Sequence, residues 1–235
     1  MDIITDNYLD RLISENLAKT QEDEQKERTP SGKLSASKLY WPLQWQILST
    51  QFGLKSSFDD YTLRKFKRGK DVEDWFMSQV NPVEKQKFLE YRGVIGYCDS
   101  IVDTKDWDTD YGVIPLECKS ITNMAFKWLD KEGAKKGHIA QNALYALALK
   151  AEHHAITYIA SDDYRIQTYL LKTEDSKTEI DLIIDEFEKA VKSETIPKFE
   201  VREKWQADIK YNNFPAFAGM DEEELKQQYN QLKNG

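Results

Sequence analysis

Three small groups of residues stand out by type and spacing. They are Asp99, the tripeptide Glu117-Cys118-Lys119, and Gln141 with Tyr145 four positions later. The stretch Val94–Asp103 is short, apolar and β-branched, so it reads as a strand, and 112–119 reads as a second one. Residues two apart on a strand share a face. Glu117 and Lys119 therefore project together, while Ile114, Leu116 and Cys118 turn to the buried side. For any single E-x-K a solvated surface pair is the plain reading. Here the strand is otherwise apolar, and two ionised groups on it are costly unless something uses them. A divalent cation such as Mg²⁺ or Mn²⁺, which takes carboxylate oxygens and retains waters, would use them. Asp99 and Glu117 would supply carboxylates, and Leu116 or Cys118 a backbone carbonyl. Lys119 would hold or deprotonate an attacking water, or neutralise charge building on a phosphate. The chemistry implied is metal-assisted hydrolysis of a phosphodiester.

Residues 135–149 form an alanine- and leucine-rich helix pattern. His138, Gln141 and Tyr145 fall on one face of it by i+3 and i+4 spacing. His138 has two equal readings, a phosphate contact or a partly buried histidine satisfied by a neighbour. His153 and His154 stand at a helix-to-strand junction and receive no role.

In this order the pieces resemble the PD-(D/E)XK nuclease superfamily. The closest likeness is to its exonuclease branch of RecB-like, CRISPR-associated, lambda-exonuclease-like and mitochondrial genome-maintenance members. Gly96 to Asp99 matches the family's G-x-x-D strand, Glu117 to Lys119 its (D/E)-x-K, and Gln141 to Tyr145 its Q-x-x-x-Y helix. Gly69 to Glu73 fits an upstream G-x-x-x-(H/E) helix, and Leu34 to Ser37 the L-S-x-S helix start. The likeness spans about residues 34–170. It implies a restriction-endonuclease-like α/β core with a central mixed β-sheet flanked by helices. It also implies a Mg²⁺- or Mn²⁺-dependent DNA exonuclease of recombination, repair or phage DNA processing. The alternatives are an endonuclease on the same scaffold and a non-catalytic DNA-binding or partner-recruiting protein. By this resemblance Asp99, Glu117, Lys119, Gln141 and Glu73 are catalytic. Asp99, Glu117, Glu73 and the Cys118 carbonyl hold the metal, and Tyr145 contacts the nucleic-acid backbone or the scaffold. Many relatives carry four cysteines around an iron–sulfur cluster, one of them in a C-P pair. Here that pair is Trp41-Pro42 and the chain holds only Cys98 and Cys118, so no cluster is expected. Both cysteines read as small buried residues.

A net charge of −8 argues against tight non-specific coating of DNA. The distribution is more informative. Arg64, Lys65, Lys67, Arg68 and Lys70 precede Glu73, and Lys127, Lys131, Lys135 and Lys136 lie between Lys119 and Gln141. Arg64, Lys65, Lys67, Arg68, Lys135 and Lys136 are therefore expected to line a DNA path, against the plain reading of solvated helix faces. Trp128 could stack on a base of a single strand, with core packing as the stronger alternative. The run Asp106, Asp108, Asp110 with Glu117 at the twelfth position imitates a calcium loop. Tyr111 occupies the position that needs glycine, and both flanks read as strand, so a charged hairpin loop is expected.

The 235 residues, 40% of them hydrophobic, bound one domain with helical additions. Residues 1–33 read as an amphipathic helix to about residue 20 and a flexible linker from Gln21 to Gly32. Residues 34–198 read as the nuclease core, and 199–235 as an extension packed on it, with a helix opened by a capping box at Asp221 and Glu224. Strands are expected at 155–161 and 165–172, and a helix at 177–193. No apolar run approaches 18 residues and no signal peptide is evident, so no membrane span and a cytoplasmic setting (the host's, if viral) are expected. The expected partners are linear or single-stranded DNA ends and a recombination or single-strand-binding protein.

Overall fold

A computed structural model describes residues 8–27, 32–56, 58–208 and 212–234. Among these, α1 (Tyr8–Glu27), a 3-10 turn (Ala36–Lys38), α2 (Leu43–Gln51) and α3 (Asp60–Val80) precede the sheet. There follow β1 (Glu84–Tyr91), β2 (Val94–Asp103), β3 (Val113–Ile121), α4 (Asn123–Glu132), α5 (Lys136–Leu149), β4 (His153–Ala160), β5 (Ile166–Lys172), α6 (Glu174–Lys192) and α7 (Glu222–Asn234). The strands lie in the order β1-β2-β3-β4-β5. Every pairing is antiparallel except β3–β4, which is parallel and needs the α4–α5 crossover to return the chain. This is the expected α/β architecture with a central mixed sheet.

Helices cover both faces. On one, α5 and α6 bring Ala143, Leu144, Ile180 and Ile184 against Leu89, Val94, Cys98 and Ile101. On the other, Val72, Phe76 and Met77 of α3 meet Val102, Ile114, Leu116 and Cys118. Asn142 ties α5 down: its buried amide donates to the Ala155 carbonyl (2.7 Å) and the Pro115 carbonyl (3.4 Å). The tail closes a third cluster, with Phe214 and Leu225 on Trp45 and Leu48, and Phe199 stacked on Trp45 at 5.6 Å. The capping box of α7 is reciprocal: the Asp221 N–H donates to Glu224 Oε2 (2.9 Å) and the Glu224 N–H to Asp221 Oδ1 (3.0 Å).

Three expectations need correction. The helix of the N-terminal segment does not end near residue 20. It runs on to Glu27, through much of the expected linker, and it packs against α3, where Arg64 donates to Asp10 and Ser14 (both 2.8 Å). The N-terminal part of that expectation, residues 1–7, and linker residues 28–31 lie outside the described residues. The L-S-x-S segment is a 3-10 turn rather than the start of an α-helix, and Ser35 pairs with Ile95 at the sheet. A strand that the pattern did not announce, β1, forms the sheet's edge. Its sequence EKQKFLEY buries only Leu89, so the apolar alternation that marks a half-buried strand is missing. The 103–112 loop is a strand-to-strand hairpin connection. Asp110 Oδ1 accepts the Gly112 N–H (2.7 Å), and Thr104 Oγ1 accepts the Tyr111 N–H (2.7 Å). No described helix is long and apolar enough to cross a membrane.

Candidate active site

The sheet forks where the proposed chemistry sits. β2 and β3 pair only from Asp103–Val113 to Ser100–Leu116. Beyond that point Val94–Cys98 pairs with β1, with a single bridge from Ser35 to Ile95, and Glu117–Ile121 pairs with β4 alone. Asp99 and Glu117 are thus the first residues on the two prongs. β2 also turns over here. Cys98 and Ile101, three residues apart, both pack toward α5, whereas Val102 packs toward α3. Strict alternation would separate Cys98 from Ile101. The ladder with β1 skips the Gln86–Asp99 pair, and Gln86 has φ of 50°. Residues held at such dihedrals collect at functional sites.

Glu117 is fully buried, with Oε1 accepting from two donors: the Lys119 ammonium in a close ion pair, and the Gln141 amide at 2.9 Å. Its Oε2 has no hydrogen-bond partner. Burial pushes the Glu117 carboxyl up, the charges of Asp99 and Glu73 add to this, and Lys119 opposes it. Burial works against the Lys119 ammonium, but Glu117, Asp99 and Glu73 outweigh it and hold the lysine charged above its ordinary range. Glu73, half-buried on α3, is raised to about 7, first by burial and then by the nearby charge of Asp99. Three carboxylates therefore gather around the Lys119 ammonium, with Lys70 acting only on Glu73, and negative charge is concentrated in a partly buried place.

That donor set fits a divalent cation. A buried carboxylate oxygen without a partner is costly, and metal coordination is one of few ways to satisfy it. Among the described residues no three His, Cys, Asp or Glu side chains are already gathered as a metal cluster. Mg²⁺ does not need one, since it is commonly held by one or two carboxylates plus waters and substrate phosphate. The backbone narrows the choice of carbonyl. Leu116 O already accepts the Ser100 hydroxyl (2.9 Å) across to β2. By the two-residue period the Cys118 carbonyl points the same way, into the fork.

The remaining expected residues divide. Tyr145 does not reach out to nucleic acid: it is 2% exposed and belongs to the scaffold. A Cβ on Gly96 would lie 2.6 Å from its Oη, so the glycine is there for space. The Tyr145 hydroxyl in turn stands 3.5 Å from Gln141 Nε2. His138 follows the scaffold reading too. Its Nδ1 lies 2.9 Å from the Tyr158 hydroxyl, and burial, with Lys119 and Lys135, pushes it down to about 3, so it is neutral and no phosphate clamp. Tyr158, which the sequence did not mark, also accepts the Lys135 N–H (2.9 Å) and so seats the start of α5. Arg64 is committed to Asp10 and Asp60 at the α1–α3 contact, and Lys67 pairs with Asp71. Lys65 lies over the Tyr61 ring at 4.0 Å. Arg68, Lys135 and Lys136 are exposed. Trp128 is not a core residue: it is 50% exposed on α4, with the Lys131 ammonium 5.2 Å from its ring. Cys98 and Cys118 are buried thiols outside any disulfide, pushed up by burial, and Cys98 Sγ donates to the Ser100 carbonyl (3.1 Å).

No family model matches the sequence, and no curated protein does. Solved structures share the fold. A crystal structure of a protein designated SSO0001 matches with a TM-score of 0.56 at 16% identity, over 88% of this chain and 96% of that one. An alkaline exonuclease from Laribacter hongkongensis matches with a TM-score of 0.51 at 14% identity, over 70% of this chain and 90% of that one. The same exonuclease in complex with dAMP matches with a TM-score of 0.51 at 15% identity, over 69% and 89%. The chain therefore has the α/β fold of these proteins, one of which is a nuclease. At such identities the likeness is one of fold.

Proposed function

We propose that this protein is a metal-dependent deoxyribonuclease that hydrolyses phosphodiester bonds from DNA ends. The observation that carries the reading is the meeting of Asp99, Glu117, Lys119 and Gln141 at the sheet fork, with Glu73 facing them from α3. The fold shared with an alkaline exonuclease supports it, as does the dAMP held by that enzyme.

Asp99, Glu117 and the Cys118 carbonyl would hold Mg²⁺ or Mn²⁺, with Glu73 reaching it directly or through water. When bound, the cation supplies Lewis-acid polarisation of the phosphoryl oxygen and an activated water. Gln141 fixes Glu117 by donating to Oε1, so that Oε2 is left for coordination. Lys119 stays charged next to three carboxylates and orients the attacking water or counters the charge developing on the phosphate. Asn142 and Tyr158 keep α5 at the register that brings Gln141 to Glu117. Arg68, Lys135, Lys136 and the exposed Trp128 are assigned to DNA contacts. The setting we assign is DNA recombination, repair or phage DNA processing in a cytoplasm. The test is incubation of end-labelled linear DNA beside covalently closed circles in Mg²⁺ or Mn²⁺. Shortening of the linear DNA with intact circles is expected. Efficient nicking of the circles would move the protein to the endonucleases.

A further inference from the structure

Next to Asp99 the sheet leaves two aromatic rings bare. Phe88 and Tyr97 are direct partners across the β1–β2 ladder, their rings 5.4 Å apart and edge-on. They are 50% and 60% exposed. Their ladder neighbours Leu89, Val94 and Cys98 are buried on the α5 side, so the pair faces away from that core. Tyr97 precedes Asp99 by two residues, about 6.6 Å along an extended strand. The pair thus sits on the prong that carries Asp99.

The hairpin bearing the pair is held rigidly. Its turn residues Arg92 and Gly93 both have positive φ, the geometry of a tight two-residue hairpin turn. Arg92 donates to Asp181 (3.0 Å) and reaches Asp185, and the Tyr91 hydroxyl donates to Asp181 (3.1 Å). Glu90, on the same face as Phe88, is neutralised by Lys33 at 2.8 Å. Lys85 is exposed on the same strand. β1 is the edge of the sheet, where exposed aromatics invite unwanted pairing and are normally avoided. Cross-strand aromatic pairs do support a hairpin, but that alone would not place them on the prong beside the fork, on the face turned away from α5.

We propose that Phe88 and Tyr97 form a stacking platform for bases of a single strand running to or from the fork. The platform would make an unpaired strand the preferred substrate. The proposal deepens the nuclease reading and rests on it. Rings on a rigid element accept any base face, and the pairing of Glu90 with Lys33 offsets a carboxylate charge on that face that would repel a polyanion.

The test uses the full chain carrying Asp99→Ala, a substitution chosen to stop cutting, in Mg²⁺. Its affinities for a short single strand and for a blunt duplex are compared with those of the same chain carrying Phe88→Leu and Tyr97→Leu. Leucines keep the hairpin's apolar contacts, and matching urea midpoints confirm the fold. A single strand with 2-aminopurine at successive positions reports stacking directly. Single-strand affinity should fall roughly 5- to 150-fold per stacked base, the duplex should change little, and quenching at one position should disappear. Unchanged single-strand affinity, an equal loss for duplex, or no quenched position would overturn the platform even if the wild-type chain degrades DNA. A wild-type chain that neither binds nor cuts DNA would instead remove the nuclease reading, and the platform with it.

Discussion

Gly96→Ala is the smallest change that tests how the fold holds the site. The added methyl carbon would lie 2.6 Å from Tyr145 Oη, 2.9 Å from Tyr145 Cε1 and 3.0 Å from the Ala36 methyl. Ordinary carbon contacts begin near 3.5 Å, so Tyr145 has to move by several tenths of an ångström. It cannot swing into solvent, because it is buried on the inner face of α5. Overpacking of this kind costs about 1–3 kcal/mol. For a chain of this length each kcal/mol is worth about 2–4 °C, so the melting temperature should drop by roughly 2–12 °C. The displacement also passes from the Tyr145 hydroxyl to Gln141 and so to Glu117. A shift of up to 1 Å at a reacting group can cost about 10²-fold in rate. Thermal melts and initial rates on end-labelled DNA measure both. Adding Tyr145→Phe removes the atom at 2.6 Å but not the one at 2.9 Å, so the double variant should recover part of the loss. A Gly96→Ala protein with wild-type melting temperature and rate would refute the reasoning. So would strict additivity of the two substitutions, since touching residues should couple.

Lys119→Ala should lower the rate by roughly 10²–10⁴ while DNA binding survives, since it removes one electrostatic or acid–base group and no metal ligand; single-turnover assays beside binding curves check this. His154 is fully buried, neither ring nitrogen has a partner, and burial, helped by His153, pushes it down to about 4. Its folded value is depressed, so its neutral form gives full stability above about pH 6.5 and loses it as pH falls toward 4, by about 3 kcal/mol. Urea midpoints of His154→Leu should be flatter than wild type across that window; parallel curves would contradict this. Neutralising Lys135 and Lys136 should flatten the salt dependence of DNA affinity by about 0.7–0.9 per lost phosphate contact. Arg64→Ala should leave that slope alone and instead loosen α1 from α3, seen as faster proteolysis of the N-terminal helix.

Most of the candidate site's geometry was legible because its pieces are local in sequence. The E-x-K face follows from strand alternation, and the Gln141–Tyr145 stripe from helical spacing. The four strands that are apolar enough to show periodicity were readable for the same reason. β1 was not, because an edge strand exposes most of its side chains and carries EKQKFLEY without an apolar rhythm. The fork could not be read either. It depends on where one pairing ladder stops, which is set by tertiary packing and by the turned-over backbone at Gln86 and Asp99. The basic cluster on α3 misled where charge was counted without partners. Arg64 answers Asp10, a residue 54 positions away. Tyr145 and His138 share a face with Gln141 as expected, yet while Gln141 reaches Glu117, those two side chains look inward at Gly96 and Tyr158.

The most direct measurement is nucleotide release from end-labelled linear DNA by the wild-type protein and by Asp99→Ala and Glu117→Ala, each with Mg²⁺ and with chelator. The account predicts release by the wild type that stops on chelation, and none by either variant, although both variants fold and bind DNA. Equal release by a variant, or release that persists without a divalent cation, would contradict the assignment of the fork as the catalytic centre.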